Sequence, residues 1–235
     1  MSSHSWQRLG AASGIFYVVV ILLPDFIQGG TPQEDTMTTA QAIAHACATA
    51  SAAQLTDAIY PITHVLGYLF FLFFLGVLWS ALRRAEGPYG WMSAAAFGGG
   101  LASLTIRFSG ATASAAAAQN ACAGIEPQLW QVLNSISSAA YFASFLPLAI
   151  LLAGSAVLAI WFGALPRWLG WMSAVVAVAL LVDGFAGTLY SRTVGLSFLL
   201  FMLWTLMASI VLIRRVGKPL PSASVTLAPR AGEIG

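Results

Sequence analysis

Residues 61–84 read PITHVLGYLFFLFFLGVLWSALRR: twenty-two positions with no acid and no base beyond His64, closed by two arginines. As a helix the apolar part is about 33 Å long, enough to cross a hydrocarbon core of about 30 Å. Backbone amides in lipid must be satisfied within the segment, so this run predicts a membrane-spanning helix that stops at Arg83-Arg84. Working outward, five more stretches have the same character: 9–27, 89–112, 139–162, 168–190 and 194–213. The expected fold is therefore all-α, a polytopic bundle of six transmembrane helices over residues 1–216. Residues 217–235 form a tail rich in Pro, Ser and Ala, expected to be disordered and cytoplasmic.

The whole composition agrees. Hydrophobic residues make up 59% of the chain and charged residues 8%, against roughly 45–50% and about 25% in soluble domains. The lipid bilayer is thus the expected surrounding. A net charge of only +2 argues against nucleic acid as a partner. The first span follows Arg8 and runs into Pro24-Asp25-Phe26-Ile27, with no small-x-small cleavage site, so it is read as a retained span and not a removed signal.

Orientation follows from the loops. Short turns at Arg83–Pro88, Gly163–Arg167 and Ser191–Thr193 force antiparallel neighbours. With the N-terminus inside, the cytoplasmic side holds Arg8, Arg83, Arg84, Arg167, Arg214, Arg215, Lys218 and Arg230, and the outer side only Arg192. That asymmetry predicts both termini in the cytoplasm. Tryptophans and Tyr89 at the span ends (Trp6, Trp79, Trp91, Trp130, Trp161, Trp168, Trp171) suit interfacial anchoring. The longer connections, 28–60 and 113–138, fall outside. Helix-like spacing of Met37, Ile43, Cys47, Leu55 and Ile59, and a helix read from Pro127 to Phe162 with Pro147 as a kink, predict a small helical cap there.

Three span openings share a pattern: Gly10-Ala11-Ala12-Ser13-Gly14, Gly90-Trp91-Met92-Ser93-Ala94 and Gly170-Trp171-Met172-Ser173-Ala174. Each begins a span running inside to outside, so the bundle is open to a reading as three parallel two-helix hairpin repeats. Convergent use of small residues at close helix contacts explains the pattern equally well. The stretch Leu165-Pro166-Arg167-Trp168-Leu169-Gly170-Trp171 and the ending Ile213-Arg214-Arg215 resemble a group of uncharacterised bacterial six-helix membrane proteins with a domain of unknown function. The resemblance implies that fold in a bacterial plasma (inner) membrane, and no activity.

Signatures for phosphate loops, zinc proteases, redox dithiols and serine hydrolases are missing, so no cofactor or metal is expected. The run Gly98-Gly99-Gly100 suits a close helix crossing. The chain has two cysteines, Cys47 and Cys122, both in outer connections where disulfides persist, and a bridge between them is expected. Ionisable groups inside spans are rare and mark sites by default. Arg107 in the third span and Asp183 in the fifth come out at similar depth in the outer half. His64, Asp25, Asp57, Asn134 and Tyr190 fall near that level. These seven residues are the candidate ligand-binding set, with Arg107 and Asp183 expected to pair. The same pair would also serve as a structural clamp.

Three functional classes follow in order: a non-enzymatic binding, sensing or accessory protein with an outward-facing pocket for a small polar or anionic ligand; a small-molecule or proton-coupled transporter; and an intramembrane enzyme using His45, His64 and Asp57. Three histidines supply few ligands or bases, which puts the enzyme last. Oligomeric state is not encoded in any feature read here.

Overall fold

The computed structural model describes residues 3–28, 37–51, 55–88, 90–189 and 196–215. Eight helices occur among them: α1 (Ser3–Gln28), α2 (Thr39–Ser51), α3 (Leu55–Glu86), α4 (Trp91–Asn120), α5 (Pro127–Ala143), α6 (Phe145–Phe162), α7 (Arg167–Leu189) and α8 (Leu196–Arg215). No strand occurs among the described residues. Five segments are long and apolar enough to cross a membrane: Trp6–Leu23, Thr63–Glu86, Pro127–Phe162 (α5 with α6), Arg167–Gly187 and Leu196–Arg215. The expected third span, α4, is not among them although it has 30 residues. Its Gly, Ser and Ala residues and Arg107 hold its apolar character down. The tail from 217 on, and the turn at 191–193, lie outside the described residues.

The six long helices close a ring in chain order. α1 packs on α3, α3 on α4, α4 on α6, α6 on α7, α7 on α8, and α8 returns to α1. Their contacts set the helix ends in register. Gly10 of α1 lies against Val77 near the end of α3, and Gly14 against Phe74 and Ser209. Arg215 Nη1 donates to the carbonyl of Ala164 at 2.7 Å, tying the end of α8 to the α6–α7 turn. One end of the ring therefore collects Arg83, Arg84, Arg167, Arg214 and Arg215. Six tryptophans (Trp6, Trp79, Trp91, Trp161, Trp168, Trp171) are exposed at that same end, a belt suited to a membrane–water interface. Trp130 is not part of it; it is buried elsewhere. Between the ends, large apolar side chains such as Phe73, Val175 and Phe185 are more than 60% exposed, a surface that water does not tolerate and lipid does.

Turn chemistry fixes the basic end. The Glu86 carboxylate accepts the amides of Met92 and Ser93, both at 2.8 Å, and so caps the N-terminus of α4. Gly163, in the left-handed region at φ 68°, ends α6 and lets the Ala164 amide reach back to the Leu158 carbonyl at 3.0 Å. The small-residue openings act in packing: Ser13, Ser93 and Ser173 are buried and donate to the carbonyls of Gly10, Gly90 and Leu169. A methyl group on Gly99 would sit 2.5 Å from the Pro147 carbonyl oxygen, so the glycine run is where α4 and α6 meet most closely.

The opposite end carries a second, smaller core. Ala117 and Ala121 from the end of α4 and its following turn, and Trp130 of α5, are buried against Ile43, Ala46 and Cys47 of α2. Cys47 and Cys122 form a disulfide across 75 residues of sequence, and Gln131 Nε2 donates to Thr39 Oγ1 at 2.7 Å. The expected cap is thus α2 laid on the projecting ends of α4 and α5. The helix bounds extend further into it than the spans read from sequence: α3 starts at Leu55 and not at 61, and α4 runs to Asn120 and not 112. Alanine, a strong helix former, continues α4 through 113–120 beyond its apolar part.

Candidate functional site

The helix expected to run from Pro127 to Phe162 is two helices, divided at Ser144. Pro147 has no amide to offer the Ala143 carbonyl, and its ring crowds that carbonyl, so the ladder breaks just before it. The break sets the Ser144 hydroxyl inside the bundle, and α4 brings Arg107 to it. Arg107 Nε donates to Ser144 Oγ at 3.0 Å, and that hydroxyl donates to the Tyr141 carbonyl at 2.6 Å. Three rings face the guanidinium: Phe198 at 4.3 Å, Tyr141 at 4.8 Å and Phe145 at 5.5 Å from carbon to ring centroid. Contacts of this kind contribute about 0.5–2 kcal/mol each, more as water is excluded.

Arg107 Nη2 is buried and has no hydrogen-bond partner among the described residues. Beside the guanidinium lies a cavity of about 10 Å³, lined by Tyr17 of α1, Tyr68 and Phe71 of α3, Ser103 of α4, Leu148 of α6 and Phe201 of α8. Five of the six ring helices meet there, which puts the cavity on the bundle axis. Below it, toward the basic end, the axis is packed with rings: Phe71 lies edge-on to Phe201 at 5.8 Å, Phe201 stacks on Trp204 at 6.2 Å, and Phe74 meets Trp204 at 6.3 Å. Trp204 Nε1 donates to Ser173 Oγ at 2.6 Å, fixing the lowest ring of the column.

The expected pairing of Arg107 with Asp183 is not formed; no ion pair joins them among the described residues. α6 stands between α4 and α7 in the ring, and the proline break reaches Arg107 first. Asp183 is half-buried on α7 and makes no hydrogen bond or ion pair with a described residue. His64 is half-buried, with its ring edge-on to Tyr68 at 6.3 Å, one turn beyond the cavity wall. Asn134 sits ten residues before Ser144 on α5, about 15 Å along the helix. It donates to the Trp130 carbonyl at 3.1 Å and so belongs to the cap. Asp25 and Asp57 fall on α1 and α3 with side chains outside the described residues, and Tyr190 lies outside them altogether.

Sequence reasoning missed Tyr17, Tyr68, Ser103, Tyr141 and Ser144. One signal was present: a phenol or hydroxyl in the outer half of a span, like an arginine there, needs a polar partner. Comparison with known proteins finds no matching family model, no matching curated protein and no matching solved structure.

Proposed function

We propose that this chain is a non-enzymatic membrane protein of the binding, sensing or accessory class, with Arg107 as its recognition group. In this reading six helices cross the membrane. α4 is the sixth, its small residues turned to α3 and α6, and both termini lie in the cytoplasm with the tryptophan-rich basic end. The positive-inside asymmetry supports that orientation. Arg107 is sixteen residues from Trp91, about 24 Å up a helix, which sets the site in the outer half of the bilayer. The observation that carries the reading is the guanidinium itself. It is caged by rings on the bundle axis, keeps one buried nitrogen without a protein acceptor, and meets no described carboxylate. A cation held that way is poised for an anionic or strongly polar group, and the column of rings beneath supports recognition over passage.

The reading is tested by native mass spectrometry of the protein extracted in lipid nanodiscs, with Arg107→Lys and Arg107→Gln beside it. A bound anionic species should be present in the natural protein and missing or depleted in both variants, while the Cys47–Cys122 bridge persists in all three. Equal occupancy in all three overturns it. Reporter fusions after Arg84 and Lys218 should read cytoplasmic and one after Gln54 external.

The proline break at Ser144 favours a second reading, a transporter, because discontinuous helices supply backbone dipoles to ions in such proteins. Anion flux in proteoliposomes that is lost in Arg107→Gln would select it.

A further inference from the structure

We propose that the cavity beside Arg107 is a site for one halide ion, chloride above all, held by Arg107 Nη2 and by surrounding hydroxyls. The inference rests on Arg107 as a recognition group and goes on to name the ligand. Size comes first. A cavity of about 10 Å³ has room for a single particle of water size or slightly above, a monatomic anion included. Carboxylates, phosphate and sulfate would have to part the helices to enter.

Donor chemistry comes next. Arg107 is an obligate donor, and Nη2 is aimed where no described acceptor stands. Nε is already committed to Ser144, and three rings shield the faces of the guanidinium. Tyr17, Tyr68 and Ser103 line the same small space, and each carries a hydroxyl that can donate. Each hydroxyl can turn its proton inward.

Charge decides between a halide and a water molecule. A water can accept from these donors, but it leaves the guanidinium's charge uncompensated at membrane depth, and by most scales that costs several kcal/mol. A monovalent anion accepts every donor and neutralises the charge. The arrangement also explains how Arg107 stands without a described carboxylate beside it.

The test uses the full chain in nanodiscs, prepared in gluconate at constant ionic strength and followed by thermal unfolding through tryptophan fluorescence. Chloride and bromide should raise the midpoint in a saturable way, and sulfate and acetate should not. Tyr17→Phe and Ser103→Ala keep the cation and the packing yet each remove one donor. Each should weaken apparent chloride affinity by about tenfold, the worth of one hydrogen bond. Equal stabilisation by sulfate, or an unchanged chloride response in both variants, overturns the assignment. If halides do nothing and acetate stabilises in a way that Arg107→Lys abolishes, the halide assignment falls and Arg107 recognition stands. If no anion acts and no bound species depends on Arg107, both fall.

Discussion

Reducing the Cys47–Cys122 bridge should undock α2 and leave the ring intact. The bridge closes a loop with a sequence separation of 75 residues. In the chain-entropy treatment, closing a loop of that size is worth about 4.5 kcal/mol at 25 °C. Against this stands a weak local core. α2 has 13 residues, about the length at which isolated helices are marginal. Its buried partners are few: two alanines and Trp130. The membrane core, by contrast, does not touch the bridge. Loss of about 4.5 kcal/mol from the cap alone corresponds to roughly a thousandfold faster amide exchange, at one decade per 1.4 kcal/mol. Hydrogen exchange followed by mass spectrometry, with and without reductant, reads this directly. Residues 39–51 should lose protection by about three decades while residues 91–109 of α4 change little. The reasoning is refuted if α2 keeps its protection on reduction, or if α4 and α6 loosen as much as α2 does.

Two further substitutions probe the ring. Gly99→Val places a branched side chain where even a methyl group would lie 2.5 Å from the Pro147 carbonyl. It should destabilise the α4–α6 contact by about 1–3 kcal/mol, seen as a lower midpoint in thermal unfolding, while Gly98→Ala, with open space around it, should cost little. Glu86→Ala removes both acceptors from the first amides of α4. A loss of about 0.5–2 kcal/mol is expected, with faster exchange at Met92 and Ser93 as the local readout.

Depth along a helix was readable without a structure, and direction around it was not. A rise of 1.5 Å per residue puts Arg107 and Asp183 at one expected level from sequence alone, and both fall in the halves of their helices away from the arginine-rich end. Whether two such residues meet depends on which helices are neighbours, and α6 separates theirs. Ser144 was equally hidden. Pro147 announced a break, yet nothing local says that α4 will bring an arginine to it from 37 residues away. The disulfide was legible because redox compartment and loop placement constrain cysteines strongly. The span over 89–112 was expected on length and apolar character. α4 has that length, but a helix packed through Gly99, Gly100 and Ser103 has a composition set by its neighbours and not by lipid.

Closure of the ring in chain order makes α8 a keystone. A ribosome delivers the helices one at a time, and α8 arrives last carrying Phe198, Phe201 and Trp204. Until then Arg107 lacks its nearest ring, Ser173 lacks the indole that binds it, and the centre of the bundle has no plug. A chain cut short before Leu196 therefore leaves Arg107 with its cage unfinished and α1 and α7 without the helix that joins them. The last helix thus completes the cage of Arg107 and the ring of helices together.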